Sequence, residues 1–128
     1  MGFSLTNLGI EFLREWSGRY EIINGEIGSL GWEVTGLRII EGEYILQKFT
    51  PVELRDMAVK CGADAALIIV YRKGVIEMPP MTVKEVEPII AEIRNICTSC
   101  KENDVLILSS PQNPLISYEI SIKLMNLS

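Results

Sequence analysis

The stretch TPVELRDMAVKCGADAALIIVY, from Thr50 to Tyr71, carries the strongest fold signal in the chain. Thr50 and Glu53 have the spacing of a capping box, in which the threonine hydroxyl accepts the N3 amide and the glutamate returns to the cap amide. A proline follows the threonine at the first helical position, where proline is favoured. The uninterrupted apolar run that ends at Tyr71 is typical of a strand covered on both faces. The stretch therefore predicts a helix over about 51–61 and a strand over about 64–71.

A similar pattern follows further along the chain. Thr82 and Glu85 repeat the capping spacing, and an apolar run over residues 105–108 closes the segment. This pattern predicts a second helix over about 83–100, with Pro88 as a complication in its first turns. The two helix–strand units are either an internal repeat or two ordinary helix starts. We favour the second interpretation, because the apolar positions after the two caps align only loosely.

The flanking segments complete the expected fold. Apolar residues spaced three and four apart predict an N-terminal helix over 4–17. Residues 19–49 combine short apolar runs with glycines, and they predict an antiparallel hairpin or meander with a returning strand over 44–49. Alternating apolar and polar residues predict a half-exposed final strand over 118–124. We expect one domain over residues 1–128 of the α+β (or α/β) class, built on a mixed β-sheet.

Composition and charge argue against several classes of partner. The chain has 128 residues, of which 48% are apolar and 23% charged, as in ordinary globular domains. Its net charge of −5 and its scattered basic residues argue against binding to nucleic acid or to an anionic membrane surface. No apolar run approaches the roughly 20 residues of a membrane helix, and the N-terminus lacks a signal region. We therefore expect a cytoplasmic protein with no nucleic-acid and no membrane partner.

The sequence contains no histidine. This removes the commonest general acid or base, the commonest metal ligand, and every Ser-His or Cys-His nucleophile pair. The chain also lacks a nucleotide-binding loop, because its glycines do not follow a phosphate-binding pattern. We lean towards a protein that is not an enzyme and expect no cofactor, while chemistry by carboxylates and lysines stays open.

Cys97 and Cys100 form the one CxxC motif, a spacing that can hold zinc or a reversible disulfide. Redox pairs of this kind usually stand at a helix N-terminus, whereas this one is predicted at a helix C-terminus, where the dipole disfavours a thiolate. Cys61 could supply a third metal ligand, but no histidine exists for the fourth. We favour three unlinked cysteines, with Cys97 and Cys61 as small apolar residues and Cys100 at a frayed end.

A possible ligand site depends on the direction of the strands. If the strands that end near residues 49, 71 and 108 are parallel neighbours, their carboxyl ends share one sheet edge, where helix N-termini offer amides to an anion. The polar residues at that edge would be Thr50, Tyr71, Arg72, Lys73, Thr82, Ser109, Ser110, Gln112 and Asn113. The alternative, which we favour, is that Arg72-Lys73-Gly74 is a solvated turn between two strands.

Three functions remain after this reasoning. The first is a small interaction or assembly module without catalysis, which binds a protein partner or itself. The second is a domain that binds a small anionic ligand at the sheet edge. The third is a thiol-redox or metal-binding protein that uses Cys97 and Cys100. The first is our leading hypothesis.

Overall fold

A computed structural model describes residues 7–79 and 83–127 of the chain. The helix predicted at the N-terminus is present as α1, although it continues beyond residue 17. The elements in chain order are α1 (Asn7–Arg19), β1 (Tyr20–Ile27), β2 (Trp32–Ile39), α2 (Ile45–Lys48), α3 (Pro51–Lys60), β3 (Ala65–Arg72), β4 (Val75–Glu77), α4 (Val83–Ile96), β5 (Val105–Ser110) and α5 (Pro114–Leu127).

The five strands form one sheet in the order β1-β2-β5-β3-β4, and every pairing between them is antiparallel. The expected α+β class is confirmed. The parallel pairing of β3 with β5, on which the possible edge site depended, is not present, since Ala65 pairs with Ser110 and Val70 with Val105. The reason is the β4 hairpin. β4 runs back antiparallel to β3, and α4 then returns the chain to the end of the sheet where β3 ends. β5 therefore starts beside the last residues of β3 and runs antiparallel to that strand.

Helices cover both faces of this sheet. One hydrophobic cluster joins α2, α3 and α5 to the sheet, and a second joins α4 to the other face. Successive strand residues alternate between the two clusters: Ile68 and Ile107 belong to the first, and Ile69 and Leu106 to the second. This alternation confirms that the apolar run in β3 is a strand covered on both faces.

The predicted capping box at the start of α3 is confirmed. The Thr50 hydroxyl accepts a hydrogen bond from the Glu53 amide, and the Glu53 carboxylate accepts one from the Thr50 amide, both at 3.1 Å. Proline occupies the first helical position, as expected. The second capping pattern begins at Thr82, which lies outside the described residues.

The returning strand predicted over 44–49 is wrong. That segment forms a 3₁₀ turn over Gly42–Tyr44 and then α2. Gly42 is buried against β2, where an added Cβ would lie 2.5 Å from Ile39 Cγ2. This close approach bends the chain away from the sheet and places Ile45 fully in the core.

The final strand predicted over 118–124 is also wrong, since the segment lies within the helix α5. The Asn113 side-chain oxygen accepts a hydrogen bond from the Leu115 amide at 3.1 Å, and Pro114 is the first helical residue. An asparagine cap before a proline is a strong helix start. This local signal outweighs the short alternation of apolar residues, which misled the prediction.

Candidate interaction surface

The sheet separates the residues that were predicted to gather at one edge. Because β3 and β5 are antiparallel, Arg72 at the end of β3 and Ser110 at the end of β5 lie at opposite ends of the sheet. The condition for a single edge site, which was a parallel pairing of these strands, is therefore not met. Thr82, which was assigned to it, lies outside the described residues.

Arg72 and Lys73 belong to a tight hairpin, as the alternative interpretation held. Lys73 and Gly74 have φ angles of 48° and 75°, which suit the two-residue turn between β3 and β4. Arg72 contacts two carboxylates, Glu43 at 2.8 Å and Glu77 at 3.3 Å. These carboxylates neutralise the guanidinium charge that the predicted anion site required.

The other predicted site residues serve the fold. Thr50 and Asn113 use their side-chain oxygens to cap α3 and α5. Ser109 is fully buried beside its strand neighbour Thr35, whose hydroxyl lies 3.2 Å from that of Ser117. These hydroxyls lie between the sheet and α5, where an anion from solvent does not reach them.

Ser110 borders an open cleft of about 450 Å³ at the end of β1 and β2. Glu26 and Glu33 face each other across the two strands there. Like charges in direct cross-strand positions repel, and they also repel an anionic ligand. The cleft is lined by Glu26, Gly28, Gly31, Trp32, Glu33, Ser110 and Pro111.

The cysteines differ from the prediction. Cys97 and Cys100 are joined in a disulfide, with their Cα atoms 5.5 Å apart, so the expectation of unlinked thiols is wrong. The reason is that α4 ends at Ile96, and the chain beyond it turns back on itself. Cys61 is buried in the cluster on the other face of the sheet, and burial raises the pKa of its thiol. Among the described residues, no three cysteine, aspartate or glutamate side chains converge as metal ligands.

The helix α5 exposes large apolar residues on the side that faces away from the sheet. Its buried side carries two serines, Ser117 and Ser121, which are fully excluded from solvent. Ser121 accepts a hydrogen bond from the Trp16 indole at 2.8 Å and donates one to the Tyr118 carbonyl oxygen. Its outer side exposes Leu115, at 65% of its surface, and Leu127, at 62%. The buried side also carries Ile116, Ile120 and Leu124, so α5 is apolar towards the core and exposes further leucines on its outer side.

We name this outer side the α5 outer face, and it carries two charges that cancel, those of Glu119 and Lys123. Next to it, the ring of Trp16 in α1 lies 6.2 Å from the ring of Tyr118, between centroids. Leu13, one turn before Trp16, is 47% exposed. The α5 outer face consists of Leu115, Tyr118, Glu119, Ile122, Lys123 and Leu127.

Sequence reasoning missed this face because it assigned residues 118–124 to a strand. In a strand, Glu119 and Lys123 share one side with Ser121, while Tyr118 and Ile122 lie on the other side, so these residues do not form one face. The signal that identifies the helix is the pair Asn113-Pro114, which the prediction treated as a loop.

The chain belongs to a family that is described as a domain of unknown function (DUF4443), which matches residues 30–126. The matched range contains α5 up to residue 126 and excludes α1. No curated protein matches the chain. No helix among the described residues is both long enough and apolar enough to cross a membrane.

A solved structure has a similar fold. It is the hypothetical protein PH0730 from Pyrococcus horikoshii OT3, with a TM-score of 0.62 and 22% sequence identity. The match covers 94% of this chain and 62% of that one, so this chain spans about three fifths of the length of its structural relative. At this identity the similarity concerns the fold.

Proposed function

We propose that this chain is a non-catalytic interaction or assembly module that binds a protein partner through the α5 outer face. The observation that carries the proposal is the exposure of large apolar residues on the outer side of α5. Its inner side is already packed with Ile116, Ile120 and Leu124, while Leu115 and Leu127 are exposed by 65% and 62%. Single exposed leucines are common, but several exposed apolar residues on one helix whose inner side is already packed are typical of a docking surface.

The electrostatics of the face support the same function. The chain as a whole carries a net charge of −5, whereas Glu119 and Lys123 cancel on α5. A neutral apolar region on an acidic protein avoids the repulsion that the rest of the surface exerts on a similarly charged partner. Aromatic residues are enriched at interfaces, and the face contains Tyr118, whose ring packs against that of the neighbouring Trp16.

Site-specific photo-crosslinking tests this proposal in the native host. A photoreactive phenylalanine analogue replaces Tyr118, and in a matched variant it replaces Val75, which is 49% exposed on β4 at the far edge of the sheet. We expect discrete protein adducts from position 118 and none from position 75. Equal labelling at both positions, or no adduct at either, would refute a docking function for this face.

A second candidate function is a thiol–disulfide couple, which the bond between Cys97 and Cys100 favours. Its test is equilibration of the protein with glutathione buffers of known potential. Structural disulfides have potentials below about −300 mV, and exchangeable ones have higher potentials. A value above that limit supports a redox role, and a value below it assigns the bond to the fold.

The proposal places the protein in the cytoplasm. Cys61 is an unpaired and buried thiol, and an unpaired cysteine is unusual in secreted proteins. Since reducing compartments keep most thiols reduced, the Cys97–Cys100 bond is the feature that weighs against this location. Fractionation of host cells, with alkylation of free thiols at lysis, tests both the location of the protein and whether Cys97 and Cys100 are bonded there.

A further inference from the structure

We infer that the partner of the α5 outer face is a second copy of this chain, with the two α5 helices antiparallel across a two-fold axis. The inference rests on the proposed function and specifies its partner. It comes from the order of residues along one row of the helix.

Four exposed residues of α5 follow one another at intervals of four: Leu115, Glu119, Lys123 and Leu127. Residues four apart are neighbours along a helix surface, so these side chains form one row. Leu115 and Leu127 are exposed by 65% and 62%, and both charged residues are also exposed. The row therefore has an apolar residue at each end and one charge of each sign between them.

This row is complementary to itself when it is reversed. In an antiparallel copy centred on residue 121, Leu115 lies against the partner's Leu127, and Glu119 lies against the partner's Lys123. The two-fold axis produces each contact twice, so the interface contains two ion pairs between two apolar ends. Such an isologous interface closes on itself and gives a dimer instead of a filament.

The charges select the antiparallel direction. In a parallel pair with the same register, Glu119 would meet the partner's Glu119, and Lys123 would meet the partner's Lys123, which is repulsive. Rows of residues four apart on two helices interdigitate when the helices cross at about −50°. Tyr118 and Ile122 form the adjacent row of the helix and fill the groove between the two rows.

The affinity and the specificity have different sources in this arrangement. Exposed ion pairs contribute little net free energy, commonly below about 1 kcal/mol. The leucines, Tyr118 and Ile122 supply most of the buried apolar area, and the charges set direction and register. Charge reversal is therefore a sharper test than charge removal, because it replaces a weak attraction with a repulsion.

The test uses two single variants, Glu119→Lys and Lys123→Glu, with sedimentation equilibrium and native mass spectrometry as measurements. We expect a wild-type homodimer and a dimer dissociation constant at least about tenfold weaker for each single variant, which corresponds to about 1.4 kcal/mol. An equimolar mixture of the two variants should form a heterodimer with near wild-type affinity, because one carries two lysines on the row and the other two glutamates. The double variant Glu119→Lys/Lys123→Glu should form a homodimer again.

The matched control is Lys73→Glu, which makes the same charge change as Lys123→Glu but in the exposed β3–β4 turn. This variant should leave the dimer unaffected. Circular dichroism and the melting temperature confirm that each variant is folded. A monomeric wild type, or a dimer that both reversals leave intact, overturns the inference. Weakening by both variants without recovery in the mixture overturns it as well, since another direction or register is then present.

These results separate the inference from the proposed function. If the purified protein is monomeric while photo-crosslinking at position 118 in the host yields adducts of a different mass, the docking function stands and the second copy is wrong. If position 118 yields no adduct and the protein is monomeric, both are wrong.

Discussion

Arg38 Nε donates to Asp104 Oδ2 across 2.8 Å, and both side chains are buried, with 10% and 2% of their surface exposed. The same carboxylate accepts hydrogen bonds from the Lys101 amide at 2.8 Å and the Glu41 amide at 2.9 Å. One side chain thus joins β2, the turn that follows it and the loop that leads into β5. A buried carboxylate needs this number of donors to offset its lost hydration.

Replacement of this carboxylate should be severe. In Asp104→Ala, Arg38 keeps its charge in a buried position with its main partner removed, and two backbone amides lose their acceptor. We expect a loss of about 3–5 kcal/mol in the free energy of unfolding, measured by urea denaturation.

The control for Asp104→Ala is Glu77→Gln, which removes one carboxylate from the exposed ion pair with Arg72. This change should cost less than about 1 kcal/mol. If the two variants lose the same stability, the buried pair does not stabilise the fold in the way that its geometry indicates.

Loss of the threonine cap at the start of α3 should have a smaller effect on stability. Thr50→Ala removes the hydroxyl that accepts the Glu53 amide, and the typical cost of such a change is about 1 kcal/mol. The melting temperature should fall accordingly. Thr98→Ala, at an exposed threonine between the two bonded cysteines, serves as the matched control and should have a smaller effect. An unchanged melting temperature in Thr50→Ala would show that the cap is dispensable for this helix.

The contrast between α3 and α5 shows what the sequence could predict. For α3 the signals are local: a threonine, a proline and a glutamate in four residues fix the helix start, and a long apolar run fixes the next strand. For α5 the signal was also local, since Asn113 and Pro114 form a cap and a first helical residue. The prediction gave more weight to a short alternation of apolar residues. It therefore assigned a strand and did not identify the α5 outer face.

Other features depend on contacts distant in sequence. The bend at Gly42 exists because that residue also packs against Val105 of β5, where an added Cβ would lie 3.3 Å from the Val105 Cβ, and no local pattern indicates this packing. The direction of β5 depends on the β4 hairpin, which adds one reversal between β3 and α4. This short hairpin arm changes the direction of β5, so the parallel pairing that the possible anion site required is not present.

The contact between α4 and the β1–β2 turn should make stability depend on pH. Glu92 accepts hydrogen bonds from the side chain and the amide of Ser29, and these bonds lower the pKa of the Glu92 carboxyl group. A carboxyl whose pKa is lower in the folded state stabilises the fold above its unfolded pKa. That contribution is lost as the pH falls through the folded value.

Glu92→Gln should therefore be less stable than the wild type at pH 7, and the difference should shrink as the pH falls to about 3. Urea midpoints at the two pH values measure this change. Ser29→Ala removes one of the two donors, so it should show the same trend with a smaller difference. A difference that is constant or grows towards low pH would contradict the assignment of these hydrogen bonds to the charged form.

The disulfide between Cys97 and Cys100 supplies the last prediction. The bond closes a loop of only four residues, for which the chain-entropy relation gives a stabilisation of about 2 kcal/mol. Reduction should lower the free energy of unfolding by that amount, which is seen as a lower urea midpoint. It should also raise the number of titratable thiols in the unfolded protein from one to three.

Two substitutions distinguish the contribution of the bond to stability from that of the two cysteine side chains. Cys100→Ala leaves Cys97 as a thiol in the apolar cluster, so this variant should match the reduced wild type and should not respond to reductant. Cys97→Ser places a hydroxyl at a position that is 4% exposed, and it should lose about a further 1–3 kcal/mol. A wild type whose midpoint is unchanged after confirmed reduction would show that the cluster around α4 holds this turn without the bond. The glutathione equilibrium of Cys97 and Cys100 could then vary without affecting the fold, as a redox role requires.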